Sequence, residues 1–561
     1  MEINDVKMGV SLIKRDGAAR TAEIMLENTY ATPFVIDFTE EGLTEKNEFT
    51  KLDFGVVPDA ASDIVPELYG ALKARNEGIE VLTGLKAMSA RKVVELITSI
   101  RRESAVKPIY AVAAATPANL PILAYLGVDV FDNILAISKA YEGFYFTSWG
   151  ELEVSSISNL PCQCEACREG LDVDNVAGLV RHNTIMLQNE AALVRELIKR
   201  EELRNYVEMK CKASPELTVM LRLADEFVRA QINARETKAR FQRFKRSTAY
   251  FNTIESFSRP EVTYFFQRSA EVYSPRSKTV LLLPCSAKKP YLTSKTHRTV
   301  RNAVGRLIRG VNEIIISSPL VVPRELELVY PAINYDTPVT GYWSDEEINF
   351  VAERLAGLLT KGEFETVIAH VEGGYRKAVE KALSIAGMDC VFTAEGNILS
   401  AESLSRLRQG LEKADRVAFD LYEEIFRHVC MYQYGVEVEG RLRGRYPELE
   451  LFEGQGKVKR VARIARIDTR YGCLEPNFIL AEKLLKLGRY AVRIDDFDPK
   501  GTIFAPAVLE ADSSIKPGDY VVFHNSTILG VGRALMFGDE MVEAIRGYAI
   551  EVRRKRRTKD Q

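Results

Sequence analysis

Apolar positions along the chain follow distinct rhythms, and the changes of rhythm mark out its organisation. From about residue 1 to 245, short apolar runs such as YAVAAA and PILAYLGVDVF read as strands. Between them lie stretches such as SARKVVELITSIRRE, apolar at helical spacing. That alternation predicts a parallel sheet or barrel. From about 275 to 434 it resumes with SKTVLLLPCS, VNEIIISSPL and FETVIAHVEGG, each an apolar run leading into a helical stretch, which predicts a second, central α/β domain. From 435 to 487, GRLRGRYPELELFEGQGKVKRVARI and EPNFILAEKLLKLG read as a small α+β module. From 488 to 561, YAVRIDDF, GTIFAPAVLEAD, GDYVVFHN, TILGVGRAL and GYAIEVRR are close-spaced short strands with Gly and Asp turns, the pattern of a compact β-barrel-like domain.

Composition narrows the class. The chain has 561 residues, 46% hydrophobic and 27% charged, enough to bury several cores. It has no apolar run long enough to cross a membrane, and MEINDVKMGV lacks the layout of a signal peptide. A cytoplasmic protein without a membrane partner is therefore expected, and its eight cysteines fit thiols or metal ligands better than disulfides. Net charge is only −2, yet RETKARFQRFKRS (Arg235 to Ser247), on a helical pattern, and the tail VRRKRRTKDQ are strongly basic. Basic segments attract phosphate backbones, although taken alone each segment reads first as the plainer alternative, a solvated helix face and a frayed terminus respectively.

Two motifs carry chemistry. In PCQCEACREGLDVDNVAGLVRHN, Cys162, Cys164 and Cys167 are spaced C-x-C-x-x-C and His182 follows. Three thiolates and an imidazole make a closed tetrahedral set for structural zinc, with no position left for water. The second motif is LLLPCSAKKPYLTSKTH, which places Cys285, Lys288, Lys289, Tyr291, Ser294 and His297 directly after an apolar run. A nucleophile and proton carriers at a strand end point to a ligand crevice, because open α/β sheets bind ligands outside the carboxyl ends of their strands. His370, in IAHVEGG, either enters the same crevice or is a satisfied core histidine.

These strings also resemble known families. AARTAEIMLENTYATP, GVDVFDN and CQCEAC followed by RHN are similar to the tRNA-guanine transglycosylases, which exchange a base in tRNA on a (β/α)8 barrel. The resemblance implies that Asp132 matches their nucleophile and that Cys162, Cys164, Cys167 and His182 match their zinc ligands. It also departs from them: the DSGGFQ segment carrying their second catalytic aspartate is missing, with only scattered acids such as Asp53, Asp59 and Asp63 in its place. A degenerate TIM-barrel-like domain follows, with Asp132 a relic or a tRNA-positioning residue.

The pattern Pro284-Cys285-x3-Lys289-Pro290-Tyr291-x2-Ser294-x2-His297 resembles the signature of the archaeosine synthases, supported by VVPRELELVYPAINYDTPVTGYW and VIAHVEGGYRKA. The C-terminal strands, with their IKPGDYVVF turn, resemble a PUA pseudobarrel, an RNA-binding module. The resemblance implies an enzyme that acts on tRNA carrying 7-cyano-7-deazaguanine at position 15. It would add an amine to the nitrile, free lysine ahead of glutamine or ammonia, and hand the adduct to a radical-SAM partner.

Either Cys285 adds first, giving a thioimidate, or the amine attacks directly. A free thiol with pKa about 8.5 is only a few per cent thiolate at neutral pH, and adjacent lysines favour the thiolate. The amine must lose a proton, for which His297 or Asp336 is a candidate acceptor, while Tyr291, Ser294 or His297 is a candidate donor to the nitrile nitrogen. Arg324 and Glu325 would either grip an amino-acid substrate or form an internal ion pair. Two other readings stay open, an active base exchanger and a non-catalytic tRNA scaffold for the radical-SAM partner. The residues also leave open whether the chain forms a homodimer.

Overall fold

The computed structural model describes residues 9–25, 29–39, 79–171, 175–339, 342–454 and 462–558. The acids Asp53, Asp59 and Asp63 lie outside the described residues. Packing gathers the chain into two units: Met1–Gln242 with Val492–Ile528 and Gly532–Gln561, and Arg243–Ala491 with Leu529–Val531. The C-terminal strands therefore group with the N-terminal region, although the central stretch separates them in sequence.

In the first unit, an antiparallel ladder of Gly9–Asp16, Ala19–Met25 and Thr29–Ala31 leads into a parallel sheet. Among the described residues that sheet has four strands, in the order Phe34–Ile36, Val130–Asp132, Ile109–Ala111 and Glu80–Leu82. Its strand–helix alternation makes the region TIM-barrel-like. The helix Ala90–Glu103 starts where expected, with the Ser89 side chain accepting the Lys92 amide, and it buries Val93, Val94 and Ile97. PILAYLGVDVF departs from the expectation. Its first half lies in the helix Leu120–Leu126, which has Pro121 in its first turn and is closed by Gly127 at φ 116°; only Val130–Asp132 is strand. Proline is tolerated in a helical first turn, and a short apolar run does not distinguish strand from buried helix.

The basic stretch after Asn233 also departs, since the helix Pro215–Asn233 ends before it and Arg235 has φ 57°. Arg235, Lys238 and Arg246 are exposed, but the other cations of the stretch are not a solvated face. Arg240 is buried and meets the Asp539 carboxylate at 2.8 and 2.6 Å, and Lys245 is buried. Asp539 belongs to the C-terminal domain, whose six-stranded sheet runs Thr502–Phe504, Tyr548–Arg557, Ile528–Ala534, Tyr520–His524, Ala491–Ile494 and Val508–Ala511. Buried Arg15 grips Glu540 of the same domain at 2.8 Å, and Lys516 reaches the Ala239 carbonyl at 2.6 Å. The basic tail is likewise ordered as strand as far as Arg557.

The second unit is built on a five-stranded sheet in the order Val321–Pro323, Asn312–Ile316, Thr279–Pro284, Thr366–Ala369 and Val391–Phe392. All neighbours are parallel except the edge strand Val321–Pro323. Side chains alternate across the sheet, which explains the unbroken apolar run of Thr279–Pro284. Val280 and Leu282 pack into the layer of helices Asp345–Gly362 and Gly373–Ala386. Leu281 and Leu283 face helices Lys295–Val304 and Ala401–Glu412 on the other side. Each such leucine contributes about 1.5–3 kcal/mol over an exposed one, so the central strand is held rigidly between two layers. A four-stranded antiparallel sheet, Arg441–Arg445, Glu448–Phe452, Arg463–Asp468 and Cys473–Pro476, and the helix Phe478–Lys486 complete the unit. Among the described residues no helix is long and apolar enough to cross a membrane.

Candidate active site and metal centre

The rigid strand Thr279–Pro284 delivers Cys285 to the carboxyl end of the central sheet, where the Cys285 amide donates to the Ile316 carbonyl at 2.9 Å. The next strand in sequence lies on one side of this strand and Thr366–Ala369 on the other, so the order reverses here. Such a switch point opens a crevice above the sheet. Tyr375, on the helix after Thr366–Ala369, closes the far side with its hydroxyl 3.2 Å from Cys285 Sγ. Trp343 packs 4.8 Å from the Tyr375 ring. Gly374 permits that approach, because a Cβ there would stand 2.5 Å from Trp343 Cγ.

On the near side, Lys289 Nζ lies 4.0 Å from the centre of the Tyr335 ring. Burial lowers the pKa of this lysine, while Cys285 and Asp336 pull it back up. The hydroxyls of Tyr291 and Tyr335 are hydrogen-bonded, and Tyr335 donates to Ser317 Oγ at 2.6 Å. Burial raises the pKa of Tyr291, Tyr335 and Tyr375, so all three keep their protons at neutral pH. The half-buried thiol therefore faces an aromatic wall that presents hydrogen-bond donors, a setting for a flat, polar ligand. Tyr335, Tyr375, Ser317 and Trp343 were not singled out from sequence. The tyrosines and Trp343 stand in the strings that carried the resemblance, but only strand order brings them to Cys285.

Several residues proposed for proton transfer or substrate binding have other employment. Ser294 Oγ caps the helix Lys295–Val304 by accepting the His297 amide at 3.2 Å. His297 is buried, donates from Nε2 to the Pro284 carbonyl at 3.0 Å, and accepts from Arg324 at Nδ1 at 2.8 Å. Burial, then the Arg324 charge, holds its pKa down at about 3, so it is neutral and positions the residue before Cys285. Arg324 is no substrate clamp, because its guanidinium is spent internally on Glu313 and Glu327, both at 2.7 Å. Glu325 is buried, and desolvation raises its pKa to about 8, so at neutral pH it is mostly uncharged and offers no anion to a substrate ammonium. Asp336 is exposed on a two-residue parallel bridge with Tyr250. His370 is a satisfied core histidine, bonded to Thr393 Oγ1 at 2.9 Å and to the Ile398 carbonyl at 2.7 Å.

The buried Arg324 network makes a strong prediction. Arg324→Met leaves Glu313 and Glu327 short of a buried partner, and removing one partner of such a pair costs about 3–5 kcal/mol. A urea titration followed by circular dichroism is expected to show that loss, and a change below about 1 kcal/mol would contradict it.

In the first unit, Cys162, Cys164, Cys167 and His182 bring one ligand atom each to within 4.8 Å of one another, so they could hold a metal ion. His182 Nδ1 stands 3.4 Å from Cys164 Sγ and 3.3 Å from Cys167 Sγ, edge lengths that suit a tetrahedral site. Its other nitrogen donates to the Phe146 carbonyl at 2.9 Å, which fixes the ring with Nδ1 free for a metal. Tyr145 stacks on the imidazole at 3.8 Å.

Asp132 ends the strand Val130–Asp132 but is fully buried. It accepts from the Tyr110 hydroxyl at 2.8 Å and from the Ala113 and Ile134 amides. Burial outweighs these bonds and raises its pKa to about 6. Enclosed in this way, the carboxylate is a structural knot and not a surface for tRNA.

Four family models match the chain in order: queuine tRNA-ribosyltransferase over residues 55–216, a domain of unknown function over 262–411, a pre-PUA domain over 419–485 and a PUA domain over 499–556. A transglycosylase-like region and a PUA domain on one chain define a tRNA-modifying transferase. The archaeosine synthase subunit alpha of Methanosarcina acetivorans is 37% identical, covering 86% of this chain and 80% of that protein. The archaeosine synthase of Haloferax volcanii is 32% identical over 96% of this chain and 98% of its own length. This chain belongs to the archaeosine synthase family. A crystal structure of a protein of unknown function matches 52% of the chain at 50% identity, with a TM-score of 0.46.

Proposed function

We propose that this protein adds an amine, foremost free lysine, to the nitrile carbon of 7-cyano-7-deazaguanine at position 15 of tRNA. The observation that carries the reading is the Cys285 thiol at the switch point, 3.2 Å from the Tyr375 hydroxyl. Cys285 sulfur bonds to the nitrile carbon, and its proton passes to the nitrile nitrogen through the Tyr375 hydroxyl, giving a thioimidate. The amine then attacks the same carbon, the carbon–sulfur bond breaks, and an amidine leaves with the thiol restored. Lys289 and Tyr335 line the pocket for the polar edge of the base, and His297, through the Pro284 carbonyl, holds the strand end in place.

In the same reading, Cys162, Cys164, Cys167 and His182 hold zinc as a structural staple, and the PUA domain with its basic final strand binds tRNA in the cytoplasm. The lysine adduct passes to a radical-SAM partner for cleavage to archaeosine. The enclosure of Asp132 weighs against base exchange as the activity. The test is nucleoside mass spectrometry on tRNA carrying the nitrile base, incubated with this chain and each amine in turn. A product heavier by one lysine is expected. No adduct with any amine, on tRNA shown to be bound, would leave only the scaffold role.

A further inference from the structure

A cavity of about 420 Å³ lies in the second unit, within the size range of ligand pockets, and the chemistry at Cys285 does not use it. Its wall runs into the start of the strand Asn312–Ile316, so it stands at the amino end of the central sheet, opposite the end that carries Cys285. The helix Lys295–Val304 joins the two places. Near its start His297 bonds to the Pro284 carbonyl, and near its end Arg301 pairs with Glu313 in the cavity wall. From Lys295 to Asn312 the chain carries five cations and no acid. Lys295, Arg298, Arg306 and Arg309 are exposed and form no ion pair among the described residues. The ten-residue helix spans about 15 Å and residues three apart are neighbours on it, so Lys295, Arg298 and Arg301 make a positive track from the crevice toward the cavity.

The acids of the cavity are already occupied. Glu313 is held by Arg301 and Arg324, and Asp420 accepts the Tyr422 and Glu423 amides at 2.8 and 3.1 Å. Arg309 lines the same cavity with no counter-ion among the described residues. Tyr422 is 42% exposed in that wall and stacks on Tyr446 at 5.6 Å, and the Tyr446 hydroxyl is bonded to Glu327, which fixes the pair of rings. Half-buried Phe419 adds a second aromatic surface. An uncompensated arginine beside an exposed ring, at the end of a positive track, fits one phosphate and one unpaired base, the two groups by which single-stranded nucleic acid is held.

We propose that this cavity receives an unpaired nucleotide of the same tRNA whose nitrile base lies against Cys285. The base stacks on Tyr422, its phosphate pairs with Arg309, and the backbone between the two sites follows Arg298 and Lys295 along the helix to the crevice. The inference rests on tRNA being the substrate in the reading above and is independent of the thiol route. It gives the unit that carries Cys285 its own hold on tRNA, in addition to that of the PUA domain.

The test titrates the full chain with tRNA carrying the nitrile base over a range of salt concentrations. For Tyr422→Ala, affinity is expected to fall about 10-fold, the scale of one stacked base, with the salt dependence unchanged. Tyr422→Phe, which keeps the ring, is expected to bind like the wild type. For Arg309→Ala, affinity is expected to fall and the slope of log affinity against log salt to become shallower by about one, as loss of one phosphate contact requires. Arg309 is exposed and unpaired among the described residues, so this variant is expected to melt with the wild type and tests the proposal even where Tyr422→Ala is unstable. Unchanged affinity and slope in Arg309→Ala, or equal losses in Tyr422→Phe and Tyr422→Ala, overturns the proposal. Guanosine monophosphate that binds the wild type and is lost from both alanine variants, while their tRNA affinity stays, makes the cavity a site for a free nucleotide and overturns it as well. Losses of tRNA affinity as expected, in a protein that adds no amine to the nitrile, leave this inference standing and overturn the nitrile-addition reading alone.

Discussion

Cys285→Ala is expected to lower the conversion of nitrile-bearing tRNA by at least about 10³-fold, the scale on which removal of a covalent nucleophile acts. Tyr375, Lys289 and Tyr335 form the pocket around the sulfur, but none of them replaces a nucleophile, since the phenols keep their protons and the lysine is half-buried against a ring. The thiol is only half-buried, so its removal opens no large cavity, and the variant is expected to melt and bind tRNA as the wild type does. Single-turnover assays at saturating protein, read beside a tRNA-binding titration, separate the two effects. A variant that keeps a tenth or more of the rate would make Cys285 a packing residue and leave direct attack by the amine as the route.

Stripping the metal from the Cys162, Cys164, Cys167 and His182 centre is expected to cost the first unit several kcal/mol, because ligands that close a structural site make metal binding part of folding. Burial raises the pKa of Cys167 and lowers that of His182. Without a cation, the protonated Cys167 thiol and the neutral imidazole are packed closely and hold little together. The centre ties the loop before the short helix Glu165–Arg168 to the long helix Val176–Arg200, whose inner face buries Leu187, Val194 and Ile198 in the main core. Elemental analysis is expected to find one zinc per chain, and Cys167→Ser or a strong chelator to lower the melting temperature. A metal-free chain that melts where the loaded one does would contradict this account.

The sequence disclosed much of this site and misassigned the rest for identifiable reasons. LLLPCSAKKPY shows a buried strand followed at once by a thiol and a lysine, a local signal, and the structure places both just beyond the carboxyl end of the strand Thr279–Pro284. Tyr375 lies 90 residues further on, and only the order of strands in the sheet puts it beside the thiol. His297 and Ser294 were read as proton carriers because residue type is visible in a sequence and burial is not. A helix cap and a histidine locked between a carbonyl and a guanidinium carry the same letters as catalytic groups. Arg324 misleads in the same way, since its two carboxylate partners make it an internal ion only once Glu313 of the neighbouring strand is in place. The basic stretch from Arg235 to Ser247 looked helical from its spacing, but its Arg240 is drawn to Asp539, an acid 299 residues away in the C-terminal domain. The Cys162, Cys164, Cys167 and His182 cluster was the most legible feature, because the C-x-C-x-x-C spacing brings three of its four ligand atoms together locally.

The central claim is that Cys285 bonds to the nitrile carbon, and trapping that bond tests it most directly. Wild-type protein is mixed with labelled tRNA carrying 7-cyano-7-deazaguanine, with no amine present, and run on a denaturing gel. The account predicts a protein–tRNA species that survives denaturation, is absent with Cys285→Ala, and disappears as product forms when lysine is added. Amidine formation by Cys285→Ala at the wild-type rate, with no covalent species from either protein, would contradict it.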